Sequence, residues 1–171
     1  MTKIFLEAYN GSSKQWQYEA RNYSSFQQGV EVPVSVFGLP ESGTEAAILT
    51  KADGNTERIT FSWTIRDEET SPIFNGSGVA QSTFTRNSDS KTFTCTTADG
   101  QFVFIQEVFE KIGITTNEKY RFLLYDDANS NNLLAKYGIV SRISWSKQAT
   151  DPVTWSATIE FTVGDDVTVS G

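Results

Sequence analysis

The carboxylates come first, because a pair of them at a defined separation is the simplest catalytic device a chain can carry. Two acidic clusters stand out, Asp67-Glu68-Glu69 and Asp126-Asp127. Nothing in their spacing places them opposite one another, so solvated loop charge is the simpler reading. "DDANSNNLLAKYG" also raises calcium: from Asp127, oxygen-bearing side chains fall at relative positions 1, 3 and 5. An EF-hand loop then needs glycine at position 6 and glutamate at 12. Asn132 and Gly138 stand there instead, so a polar turn between strands is expected, and no metal site is assigned. The chain has no histidine and one cysteine, Cys95. No Ser-His-Asp triad, Cys-His pair or imidazole zinc site can be built, and no disulfide within the chain. Cys95 alternates with Phe93 in "KTFTCTT" and reads as a small buried side chain. No catalytic residue and no cofactor is assigned. Trp16, Tyr18, Tyr9 and Tyr23 form the best small-ligand candidate, as a stacking platform for sugars. Aromatics in alternating strands more often pack a core or a subunit interface.

The elements that must position these residues are mostly strands. In 171 residues 13% are aromatic, with four prolines and twelve glycines, a composition suited to strands and turns. "KIFLEAY" and "QWQYEAR" flank the turn "NGSS". "GVEVPVSVFG" alternates, with Val30, Val32, Val34 and Val36 on one face; Pro33 argues for an edge strand or a strand start. "ERITFSWTIRD" puts Ile59, Phe61, Trp63 and Ile65 on one side and Arg58, Thr60, Ser62 and Thr64 on the other. "VAQSTFTRNSDSKTFTCTT" reads as a hairpin turning at Asn87, Ser88 and Asp89. One helix is predicted over about Gln101 to Ile112, with Asp99 as N-cap and Gly113 as terminator; Phe102, Ile105, Phe109 and Ile112 recur at helical spacing. Further on, Ile139, Ile143 and Trp145 are expected to share a face with Ser141.

The closing stretch, "SWSKQATDPVTWSATIEFTVGDD", is a long two-faced hairpin. Trp155, Ala157, Ile159, Phe161 and Val163 lie on one side; Thr154, Ser156, Thr158, Glu160 and Thr162 lie on the other. Between Leu39 and Thr56 runs a segment too long for a simple connection, with a short apolar patch at Ala46, Ala47, Ile48 and Leu49. No repeat or linker divides the chain, so a single domain over 1–171 is expected. No stretch reaches the length of a membrane span. The formal net charge of −7 argues against stable binding of free nucleic acid.

The pattern "YGIVSRISWS…DPVTWSATIEFTVGD" resembles the closing hairpin of tail-tube and related baseplate proteins of tailed phages. Gly138, Ile139, Ile143, Asp151, Pro152, Trp155, Phe161, Val163 and Gly164 carry the likeness. The upstream order is similar: "VFGLP", a long loop, "RITFSWTIRD", then the helix "QFVFIQEVFEKIG". Type VI secretion tube proteins share this plan. The resemblance implies a mainly β fold, an antiparallel β-barrel or sandwich with one short flanking helix. It implies a structural virion protein, a tail tube subunit in stacked and typically hexameric rings, assembled in the host cytoplasm. Other tail or baseplate proteins, a sheath or a tape-measure protein would be its partners, and DNA would pass through without being held. On that reading Thr60, Ser62, Thr64, Thr158, Glu160 and Thr162 line the channel, which is expected to be negative or neutral, and Ala46 to Leu49 lie in an assembly loop at about 39–56. The alternatives are a tail-tip protein of the same fold or a carbohydrate-binding β-sandwich of an adhesion module.

Overall fold

The computed structural model describes residues 2–32, 34–38, 47–51, 56–109 and 118–164. In chain order the elements are β1 (Thr2–Asn10), β2 (Ser13–Ala20), β3 (Tyr23–Glu31), β4 (Val34–Gly38), β5 (Ala47–Lys51), β6 (Thr56–Ile65), β7 (Ile73–Asn75), β8 (Thr83–Thr85), β9 (Thr92–Thr94), α1 (Ala98–Val108), β10 (Glu118–Asp126), β11 (Asn131–Gln148) and β12 (Asp151–Val163). Eight strands form one sheet in the order β3-β6-β12-β11-β10-β1-β2-β7, and every paired neighbour is antiparallel. Two small hairpins, β4-β5 and β8-β9, stand outside it.

Only Arg21 and Asn22 separate β2 from β3, yet these strands lie far apart in the sheet order. Three Cα steps span at most about 11 Å, so the sheet must curl until its two ends approach. Tyr18 on β2 meets Trp63 on β6 across the interior, and Phe26 on β3 stacks on Phe122 of β10 at 5.7 Å. The curl does not close into a hydrogen-bonded barrel. The fold is sandwich-like, and α1 with the β8-β9 hairpin packs against its interior: Phe104 and Phe84 both reach Trp16.

The alternation in β6 and β12 decides which face is core. Ile59, Phe61, Trp63, Ile65, Ala157, Ile159 and Phe161 are all buried. A polar chain runs through this core: the Trp63 indole N–H donates to the Tyr18 hydroxyl at 3.0 Å, which donates to Gln101 Oε1 at 3.1 Å. Gln101 Nε2 in turn donates to the Arg66 carbonyl at 2.9 Å. Buried polar atoms are costly when unpaired, and this relay ties β6, β2 and α1 together.

Several expectations are corrected. The helix begins at Ala98, because Thr97 rather than Asp99 is the N-cap: its hydroxyl accepts from Gly100 N at 3.1 Å. Asp67, from the first acidic cluster, accepts from Ala98 N at 2.9 Å. Ile112 and Gly113 lie outside the described residues. "GVEVPVSVFG" is not one strand: β3 ends at Glu31, β4 starts at Val34, and Val30 is exposed. In β11 an irregularity between Val140 and Arg142 inserts an extra residue. Val140 therefore points inward before it and Ile143 and Trp145 after it, while Ile139 falls outside the core. A β-bulge shifts the side-chain phase in this way, and alternation alone does not reveal it. Of the assembly patch, Ala47, Ile48 and Leu49 lie in β5, paired with Gly38, Phe37 and Val36; Ala46 lies outside the described residues.

Candidate functional site

The residues singled out as a channel lining share one face of the sheet. Glu160 is opposite Thr60, Thr158 opposite Ser62 and Ser156 opposite Thr64, while Thr162 is opposite Arg58. The register extends the face sideways to Arg142 and Ser144 on β11, and to Ser25, Gln27 and Glu31 on β3. Hydroxyls satisfy one another across the strands. Ser62 Oγ and Thr158 Oγ1 are 2.7 Å apart, and Thr162 donates to Ser141, which donates to the Glu160 carbonyl, both at 3.0 Å. Arg58 reaches Glu160 at 4.0 Å. The charges are thus Arg58 and Arg142 against Glu31 and Glu160, two of each sign, on a chain that is strongly acidic as a whole. No described element covers this face. β3 is its edge strand; in the polar run "YSSFQQ" Phe26 is the one aliphatic or phenyl side chain, too little to show a strand period.

The same sheet has a different outer face over β2, β1, β10 and the first half of β11. Glu7 is buried there, gripped by Arg121 Nε and Nη2 at 2.5 Å each and by Lys14 Nζ at 3.3 Å. Arg121 lies over the rings of Tyr9 and Tyr137, which meet edge to face at 5.7 Å.

The proposed sugar platform is dispersed. Tyr18 is in the core, Trp16 packs on Phe84 and Phe104, Tyr9 belongs to the Glu7 cluster and Tyr23 is exposed elsewhere. The acidic clusters are dispersed too. Asp67 caps the helix, Glu68 faces Arg21 and Arg66, and Asp127 faces Lys3 at 3.1 Å. Asp126 organises its own turn, where Asn129 Nδ2 at 2.6 Å and the N–H of Ala128 hold its carboxyl below the ordinary range. Cys95 is fully buried, and burial pushes its thiol up to about 11. Among the described residues no group of three or more metal-ligating side chains converges, and no helix is long and apolar enough to cross a membrane.

Two features went unrecognised in the sequence. The first is an aromatic clamp: Phe102 of α1 stacks on Trp155 at 4.4 Å and meets Trp145 at 4.6 Å, and the Trp155 indole donates to Asp99 at 3.2 Å. The β11-β12 tip projects beyond it. The second is a cavity of about 640 Å³ at the other end of α1, lined by Glu107 and Val108 with Trp16, Phe84, Glu118 and Tyr120. Burial, with Glu118 adding its charge, raises the Tyr120 hydroxyl to about 12. The tryptophans were visible in the sequence, but their helical partner could not be known before the fold.

Compared with solved structures, the chain superposes on a protein of the tail of an empty GTA particle with C6 symmetry. The TM-score is 0.50 at 7% identity, over 98% of this chain and 96% of that one. The two share a fold. No protein-family model matches the sequence, and no curated protein does. The likeness runs nearly end to end in both chains, so it concerns the whole arrangement of strands and helix rather than one shared hairpin.

Proposed function

We propose that this chain is a structural tail protein of a virion: a tube subunit that forms rings, stacked into a conduit for DNA. The observation that carries the reading is the end-to-end fold likeness to a chain of a six-fold symmetric particle tail. Two features of the molecule support it. The β3 edge has no strand beyond it among the described residues, and an unpaired edge is a template for a neighbouring copy. The uncovered hydroxyl face has balanced charge, and such a wall neither grips nor strongly repels a phosphate backbone. On this reading Thr60, Ser62, Thr64, Thr158, Glu160 and Thr162 line the channel, and the β4-β5 hairpin is an assembly element. Work of this kind is assembly and passage, not catalysis. Other tail components and a sheath or tape-measure protein are the expected partners.

Negative-stain microscopy of the purified chain tests this. Rings or tubes are the expected outcome. Rings that never stack would move the assignment to a tail-tip protein of the same fold. A monomer at all concentrations, with retention on immobilised glycans, would replace the reading with an adhesion module.

A further inference from the structure

We propose that the β11-β12 tip of one copy enters the cavity at the C-terminal end of α1 in the next, with Lys147 meeting Glu118. The proposal rests on the stacking reading above and names the contact that would produce it.

Among the described residues no further strand pairs with the tip, and yet it is held. β11 leaves β10 after Gly138, and β12 joins β6 only from Trp155 onward. Residues Ser146 to Asp151 are exposed, and Val153 is 55% exposed. Below them the clamp of Trp145, Trp155 and Phe102 fixes the hairpin to α1. A protruding element held in one orientation loses little freedom on docking.

The cavity offers the complementary chemistry. Glu107 and Glu118 are acidic, Trp16, Phe84 and Tyr120 supply rings, and no lysine or arginine is among the described lining residues. The C-terminal end of α1 adds the negative end of the helix dipole. Lys147, which now rests 4.5 Å over the Trp155 ring, provides a cation, and Val153 provides an apolar contact. Copies that each carry a charge of −7 repel one another, so a local pairing of opposite charges favours one docking geometry over the rest.

The placement of the two features sets the symmetry. The clamp holds the tip at the Asp99–Phe102 end of α1, and the cavity lies at the Glu107–Val108 end. At 1.5 Å per residue these ends are roughly 10 Å apart along the helix. Tip and cavity are different surfaces near different ends of α1, so a head-to-tail repeat of their contact is heterologous. Repeated without closure, it yields an open polymer with an unfilled cavity at one end and a free tip at the other.

Charge reversal in the full chain is the test. Sedimentation and microscopy would follow assembly of the parent, Lys147→Glu, Glu118→Lys and the double variant. Each single change should raise the concentration needed for polymers by about tenfold or more, and the double variant should recover most of that loss. A second experiment does not depend on charge. In a Cys95→Ala background, Lys147→Cys with Glu118→Cys should give a ladder of disulfide-linked oligomers on denaturing gels. If the parent forms tubes while the single variants assemble like it, or the ladder is missing, the contact is elsewhere and the tube reading stands. If the parent never polymerises, both fall together.

Discussion

The indole of Trp63 is held from two directions, by Phe61 stacked at 5.2 Å and by the hydrogen bond to Tyr18. Trp63→Ala removes the ring and leaves the Tyr18–Gln101 relay without its donor, and should cost about 3–5 kcal/mol. Trp63→Phe keeps a ring and loses the N–H, so about 1–3 kcal/mol is expected. Urea midpoints measure both, and a midpoint that barely moves for Trp63→Ala would mean that β6 is out of register by one residue. Cys95 and Tyr120 predict the alkaline behaviour. Burial raises the thiol from 9.0 to about 11 and the phenol from 10.0 to about 12. Both groups are neutral when protonated, so above about pH 9 the unfolded chain loses protons that the folded chain keeps. The slope of stability with pH is then negative, and stability should decline steadily from pH 9 to 12. A flat denaturation midpoint over that window would contradict the burial of both groups.

Elements were legible where the chain had one wet face and one dry one. β6 from Ile59 to Ile65 and β12 from Ala157 to Phe161 follow that rule, and the alternation there names the outward hydroxyls residue by residue. The rule failed where something other than periodicity decides. The β11 irregularity depends on its pairing with β12; the N-cap depends on Thr97 and on the distant Asp67; and β3 has too few apolar residues to show a period. The helical spacing of Phe102, Ile105, Phe109 and Ile112 marks one stripe, but Val103 and Phe104, off that stripe, are buried while Phe102 is half-buried. Strands flank α1 on more than one side, which erases the amphipathic contrast. Gly138 is a case in which the motif was visible and its cause was not. A Cβ there would lie 2.1 Å from the Thr162 carbonyl oxygen and 2.9 Å from the Phe161 ring. Gly138→Ala must therefore push β11 from β12 at the point where β10 also joins. About 1–3 kcal/mol of destabilisation is expected, as for an overfilled core. Gly164→Ala is the control, since nothing lies within 4 Å of its added Cβ; equal melting temperatures for the two variants would rule this account out.

At the scale of the whole molecule, two parts look unfinished in a single copy. Among the described residues the β4-β5 hairpin pairs only with itself, and a lone two-stranded hairpin is marginal in water. Replacing residues 35–50 by a short Gly/Ser linker should leave the subunit folded, with an unchanged near-ultraviolet spectrum, and abolish stacking. Normal tubes from that variant would remove the hairpin from assembly. The hydroxyl face is the other unfinished part, and one charge tests its role. Arg58 and Arg142 are balanced there by Glu31 and Glu160. Glu160→Lys leaves three cations against Glu31, a change from zero to +2 on each copy's face, which the proposed tube would repeat around every ring. Glu160 is partly exposed, and its nearest cation, Arg58, is at 4.0 Å and itself exposed; such a pair contributes little stability, so the fold should survive. A phosphate backbone passing this wall would then meet an excess of two cations per copy, and each contact formed releases counterions and adds salt-sensitive affinity. Particles built from the variant should release DNA more slowly than the parent at low ionic strength and approach parental rates as salt rises. Equal release at low salt, from particles of normal length, would show that this face is turned away from the channel, and would move the lining to the Tyr9–Arg121–Tyr137 half of the sheet.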